Sequence, residues 1–119
     1  VGHLILSEHN ILSSYAADRV PPLPEGFAEI YGKENAHSDD SSAFLTKDAL
    51  MQAFRVQRDG AKSLLETCAD ADFDAEAPEA IRSFAPTVGA MMSMLGSHWL
   101  MHCGQWVIVR RMLDKPFVI

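Results

Sequence analysis

Apolar residues recur at intervals of three and four in three separate segments of the chain, which is the period of an α-helix rather than of a strand. The first segment covers residues 1–19, the second residues 47–69 and the third residues 88–113. Thr46 and Thr87 directly precede the second and third segments, and threonine is a favourable N-cap residue. The pattern therefore predicts three long helices, the last of them about 40 Å long.

Two connections separate these helices. Residues 20–45 are rich in Pro, Gly, Ser and Asp and show no sustained period, which predicts a long connection acting as a lid, a crossover or a cap at the end of a bundle. Residues 70–86 are acidic and interrupted by proline, with one short helical turn expected at 79–84. Together the elements predict an all-α antiparallel bundle, with residues 1–119 forming a single domain.

The composition narrows the class of function. With 16 acidic and 10 basic residues the net charge is -6, which disfavours nucleic acid as a partner. No apolar run approaches the ~20 residues that span a bilayer, so we expect no membrane association. Two cysteines, Cys68 and Cys103, are too few for a disulfide scaffold and favour a reducing cytoplasm. Because the chain does not begin with methionine, we expect that an upstream segment is absent from it.

The stretch GSHWLMHCGQW in the third predicted helix is the first candidate for chemistry. His98 and His102 are four residues apart and share one helical face, where two imidazoles can point at a single position. A histidine on an apolar helix is commonly a hydrogen-bonded core or boundary residue, which is one interpretation of the pair. The other interpretation is a divalent metal site, which requires a third ligand from elsewhere in the chain.

Other residues offer nitrogen, oxygen or sulfur as a third ligand: His3, Glu8, His9, His37 and Cys103. Cys103 is turned about 100° away from His102 on the same helix. His37 lies in the acidic loop, where a solvated histidine is the simpler interpretation. His3 and His9 point in different directions, and His3 shares a small, polar stripe with Ser7, Asn10 and Ser14 that can line a pocket. We therefore select His3.

Three further residues have open interpretations. Gln105 lies on the stripe of the histidine pair, where it can contact a metal ligand, a bound water or substrate, or make an interhelix hydrogen bond. Glu8 can orient a histidine or accept a proton, but a solvated glutamate is the preferred prediction. Trp99, on the third helix, is expected to pack against a further helix or a partner subunit.

Two stretches of the chain, GHLILSE near its start and HWLMHCGQWVIVRRMLDKP near its end, resemble sequences of the DinB/YfiT superfamily. In that family a helical bundle carries a histidine in an H-x4-E setting early on its second helix and an H-x3-H-x-G-Q run on its last. The matching positions are the following: His3, Glu8, His98, His102, Gly104 and Gln105. Asp114 stands where the family usually has glycine. The resemblance covers the whole chain as the last three of four helices, with the first helix absent.

The resemblance implies a four-helix bundle with a three-histidine site for a divalent metal, zinc or nickel, formed here by His3, His98 and His102. It also implies a bacterial, cytoplasmic homodimer that acts on a small-molecule substrate. The expected activity is a transferase reaction with a low-molecular-weight thiol such as bacillithiol, mycothiol or glutathione, or a hydrolase reaction. Residues expected to support the ligands or bind substrate are Ser7, Glu8, Asn10 and Gln105. The alternative is a non-catalytic metal-binding or stress-associated helical interaction domain.

Overall fold

The computed structural model describes residues 1–116, and these residues contain five α-helices. The helices are α1 (Gly2–Ala16), α2 (Phe27–Tyr31), α3 (Lys47–Glu66), α4 (Glu79–Arg82) and α5 (Val88–Met112). Within this part of the chain the only extended pairing is an isolated antiparallel bridge between Glu76 and Thr87. The predicted all-α class and the three long helices are confirmed.

The starts of α3 and α5 follow the predicted caps. The Thr46 hydroxyl accepts a hydrogen bond from the Ala49 amide at 3.3 Å, and the Thr87 hydroxyl accepts one from the Ala90 amide at 3.2 Å. Each bond satisfies one of the amides that a helix N-terminus leaves without an intrahelical partner. The ends are less well predicted, because α1 and α3 each finish three residues before the apolar pattern does.

α1 and α3 run parallel, contrary to the predicted antiparallel bundle. Arg58 on α3 donates to Glu8 on α1, and Arg19, just beyond α1, donates to Thr67 at the end of α3. Ile5, early in α1, also shares a core cluster with Ala53, early in α3, whereas Leu12 and Leu64, both late in their helices, share another. The residues between the two helices form a crossover that returns the chain to the end at which α1 began, as long connections in helical bundles do.

The core forms around α1 in three clusters of buried side chains. The first contains Ile5, Phe27 and Ala53, the second Leu12, Leu64 and Leu95, and the third Ala77, Ala85, Val88 and Met91. Passing from Leu12 back to Ile5 along α1, the neighbouring α5 side chain changes from Leu95 to Trp99. α5 is therefore antiparallel to α1, and the first turn of α1 lies beside the middle of α5.

The crossover between α1 and α3 packs against the first turn of α1. Phe27 is 1% exposed and contacts Tyr31, with their ring centroids 4.6 Å apart. The Tyr31 hydroxyl accepts a hydrogen bond from the Leu45 amide at 3.2 Å, which connects α2 to the segment before α3. Gly2 lies directly against the Tyr31 ring, so that a Cβ at this position would collide with it. The segment thus closes one end of the bundle as well as crossing over.

The short helix α4 is held in a loop whose two ends pair with each other. The Ala77 amide donates to the Pro86 carbonyl at 3.0 Å, and the Val88 amide donates to the Ala75 carbonyl at 2.9 Å. α4 confirms the short helical turn predicted at 79–84, although the helix ends at Arg82. This loop presents Phe84, which is 78% exposed, beside α5.

The second half of α5 projects its apolar side chains outward. Leu100, Ile108, Val109 and Met112 are all more than half exposed. Nevertheless, among residues 1–116 no helix combines the length and the apolar character that crossing a bilayer requires.

Candidate metal centre

The three predicted histidines converge on one place in the fold. His3 lies in the first turn of α1, whereas His98 and His102 lie one turn apart on α5. The antiparallel packing of these two helices brings the start of α1 to the middle of α5. The His3 ring centroid is 5.6 Å from that of His98 and 5.7 Å from that of His102, and the centroids of the α5 pair are 4.9 Å apart.

The two ring nitrogens on α5 have the spacing of two ligands to one ion, and His3 offers a third nitrogen close by. Nε2 of His98 and Nε2 of His102 are 3.2 Å apart, and one nitrogen from each of the three rings lies within 4.8 Å of the others. Two nitrogens bound to one tetrahedral ion at about 2.0 Å each would be about 3.3 Å apart. The set consists of imidazole nitrogens alone, which suits zinc, nickel, copper or iron more than calcium or magnesium. The residues present therefore fit a transition-metal ion.

His98 and His102 are half-buried and His3 is exposed, and the surroundings lower the pKa of two of these imidazoles, His3 and His98. Desolvation is the main cause that lowers the pKa of His98, and the neighbouring His102 and His3 lower it further. Desolvation also lowers the pKa of His3, with additional contributions from His102 and Lys33. Since a metal competes with protons for these nitrogens, a lowered pKa makes the ligands available at neutral pH.

The same shifts predict a pH dependence for the metal-free protein. The folded-state pKa values of His3 and His98 lie below the value of about 6.5 in an unfolded chain, so the unfolded chain takes up protons first as the pH falls. The contribution of these histidines to stability is complete above about pH 6.5 and is lost as the pH falls through the folded-state pKa values. Urea unfolding of chelator-treated protein across this range should show a decreasing midpoint.

A variant isolates the histidine contribution to this dependence. His98→Ala removes one of the two histidines whose pKa is lowered, so its urea midpoint should fall less between neutral and mildly acidic pH than that of the parent. An equal fall in both proteins would assign the effect to other groups.

Glu8 is buried, and the prediction of a solvated glutamate is wrong. Its side chain is 2% exposed and its Oε2 accepts two hydrogen bonds, from Arg58 Nη1 at 2.7 Å and from Trp99 Nε1 at 2.6 Å. Glu8 lies on α1, Arg58 on α3 and Trp99 on α5, so one carboxylate oxygen connects the three long helices. The other oxygen, Oε1, is buried and has no hydrogen-bond partner among residues 1–116.

This network lies one to two turns along α1 from His3. Trp99 is the residue next to His98, and its ring packs against Phe54 of α3 with a centroid distance of 5.0 Å. Trp99 therefore contacts helices within this chain, whereas a further helix or a partner subunit was predicted. By tying α1 to α5, the hydrogen bond from Trp99 to Glu8 fixes the register in which His3 meets the α5 pair.

The remaining candidates lie in different surroundings. His9 points away from the cluster, as predicted, and its Nδ1 donates to Oε1 of the buried Gln57 at 3.2 Å. His37 and Cys103 are exposed. Asn10 and Gln105 are also exposed, and among the described residues neither makes a hydrogen bond to the three histidines. Their predicted supporting roles stay predictions.

Two cavities adjoin the cluster, one beside His98 and the other beside His3. The larger, of about 620 Å³, includes His98 and Ser7 in its wall and is otherwise mostly apolar. The smaller, of about 290 Å³, has His3 in its wall together with residues of the crossover, including Tyr31 and Lys33. Ser7 was expected beside the site from its stripe with His3, whereas the prediction of a lid, crossover or cap did not identify which crossover residues line the second cavity.

Comparison with known proteins supplies one match. The sequence profile of the DinB superfamily matches residues 1–106, which include α1, α3, most of α5 and all three histidines. Searches of curated proteins and of solved structures found no match.

Proposed function

Because the chain belongs to the DinB superfamily, we propose that it is a metal-dependent enzyme that binds a divalent ion through His3, His98 and His102. The observation that carries this proposal is the meeting of three imidazoles from two separate helices within 4.8 Å of one another. If only the two histidines on α5 were close together, a hydrogen bond between their rings would explain the arrangement. The third imidazole, on a different helix, favours a shared ion.

The proposed reaction is the transfer of a low-molecular-weight thiol to a small electrophile, or the hydrolysis of a small molecule. A divalent ion with one open position supplies Lewis acidity that favours the thiolate or hydroxide form of a nucleophile at neutral pH. The chain's own contribution is to hold three imidazoles in place through the packing of α1 on α5. Lys33, on the cavity beside His3, offers a cation to an anionic substrate group.

The remaining proposals concern the cellular context. We propose zinc or nickel as the ion, since both accept three imidazole ligands, and a thiol of the bacillithiol, mycothiol or glutathione kind as cosubstrate. We also propose a cytoplasmic homodimer. The exposed apolar side chains on the second half of α5 support an additional interface.

The test combines metal content with turnover. Protein prepared without a histidine tag should contain one zinc or nickel per chain by elemental analysis, and His98→Ala and His102→Ala should each lose most of it. The metal-loaded protein should conjugate at least one thiol of the panel to an electrophile, or hydrolyse an ester or amide, and chelation should abolish this activity. His37→Ala, in the exposed part of the crossover, is the matched control and should retain both metal and turnover.

Different outcomes separate the two functional hypotheses. A parent protein that takes up neither zinc nor nickel contradicts the metal site altogether. Stoichiometric metal without turnover on the full panel favours the non-catalytic metal-binding domain over the enzyme.

A further inference from the structure

We propose that the 620 Å³ cavity beside His98 binds an apolar alkyl or aryl group of the molecule whose polar head reaches the three histidines. This inference rests on the proposed function, because it takes the histidine cluster as the site of the head group. It adds a substrate class, since it predicts selection for molecules that carry a sizeable apolar substituent.

The chemistry of the cavity wall supports an apolar occupant. Six of the residues in the wall are apolar: Ile11, Ile81, Phe84, Met94, Leu95 and Met101. The other three are Ser7, Ser97 and His98, so residues 1–116 contribute no carboxylate, ammonium or guanidinium group to the wall. A charged or strongly hydrated group would lose its hydration here without gaining a partner, whereas an apolar group gains by leaving water.

The cavity is built by three elements of the fold rather than by one surface groove. Residues of α1 and α5 form the floor, and the loop that carries α4 supplies Ile81 and Phe84. That loop is fixed by the backbone pairing of its ends and by a hydrogen bond from Arg82 Nε to the Ala77 carbonyl at 3.0 Å. Phe84 is thus held over the cavity although it is 78% exposed.

The position and size of the cavity fit this ligand class. His98 is both a member of the three-histidine cluster and part of the cavity wall, so the two sites are continuous. The volume lies within the range of about 300–1,000 Å³ that is usual for small-molecule pockets. The cavity on the opposite side, beside His3, is about half as large and has Lys33 in its wall. The larger cavity is therefore the apolar side of the site.

A homologous series of ligands tests the proposal directly. Cobalt(II)-loaded protein is titrated with n-alkanethiols from ethanethiol to octanethiol, and binding is followed by the sulfur-to-cobalt absorption in the near ultraviolet. Each added methylene that enters the cavity should tighten binding about threefold to fourfold, until the cavity is filled. A second arm titrates metal-free protein with the n-alcohols from ethanol to octanol by ligand-observed NMR, where the same gain per methylene is expected.

Two substitutions place the effect in this cavity. Met101→Gln and Phe84→Ser replace side chains that are 52% and 78% exposed, so neither change should unfold the protein, and both should flatten the dependence on chain length. Val56→Gln is the matched control, because Val56 is a 45% exposed apolar residue on α3 that is not part of this cavity. It should leave the dependence unchanged.

The outcomes distinguish this inference from the proposed function. Failure to take up cobalt contradicts the metal site, while the alcohol arm still decides whether the cavity binds apolar chains. Normal cobalt uptake with affinities independent of chain length overturns the inference and leaves the metal site standing. A third outcome would assign the cavity to a second copy of the chain. In that case the affinities are independent of chain length in both arms, the molar mass increases with protein concentration, and Phe84→Ser reduces that molar mass.

Discussion

Replacing His3 with alanine should lower the affinity for zinc by more than about 100-fold, because loss of even a hydrogen-bonding partner behind a ligand typically costs 10–100-fold. In the proposed site, His98 and His102 alone would supply two ligands, which is fewer than the three protein ligands that catalytic zinc sites usually have. Competition with a chromophoric chelator at neutral pH measures the change. This substitution tests the contribution of α1, which the substitutions on α5 do not.

His9→Ala is the matched control on the same helix. His9 donates to Gln57 and lies away from the cluster, so its loss should reduce stability by about 1 kcal/mol and leave zinc affinity unchanged. If His3→Ala and His9→Ala both bound zinc as tightly as the parent, His3 would not be a ligand, and the ligands would have to lie on α5.

Replacing Glu8 with alanine should reduce the free energy of unfolding by about 2–4 kcal/mol, because it leaves the Arg58 guanidinium and the Trp99 indole N–H without their shared acceptor. Part of this cost is offset because the Arg58 side chain is 35% exposed and can turn to water. Urea unfolding at constant m-value measures the loss.

Two further variants resolve what the carboxylate contributes. Glu8→Gln keeps an oxygen that can accept from Trp99 but removes the negative charge, so about half of the loss should remain. Glu25→Ala, at an exposed position in the crossover, should change stability by less than about 0.5 kcal/mol. A Glu8→Ala protein as stable as the parent would contradict the linking role of Glu8.

The helices were predictable because local rules determine them. Apolar side chains at helical spacing and the hydroxyls of Thr46 and Thr87 act within a few residues of each other, and they placed three long helices correctly. The relative direction of α1 and α3 depends on the end of the bundle to which the crossover returns the chain. No local pattern in residues 20–45 records this, so the parallel arrangement emerged only with the structure.

The residues of the candidate site also fall into two groups, those that local patterns predicted and those that depend on contacts between distant segments. His98 and His102 share a face by helical geometry alone, and His3 followed from its polar stripe and from the family resemblance. Glu8 was misjudged because a carboxylate is normally solvated, and only contacts with Arg58 and Trp99, at least 50 residues away, make its burial tolerable. The cavity beside His98 was also missed, since Phe84 reaches it through the folding of the α4 loop.

The close approach of Gly2 to Tyr31 has a consequence for how metal preference can vary. A side chain at Gly2 would displace the ring, and Tyr31 is bonded in turn to the backbone at Leu45. The placement of the first imidazole therefore depends on a loop that supplies no ligand. In the proposed metal site, we expect substitutions in this crossover to shift His3 relative to His98 and His102, and so to change the relative affinity for different ions while the three histidines stay the same.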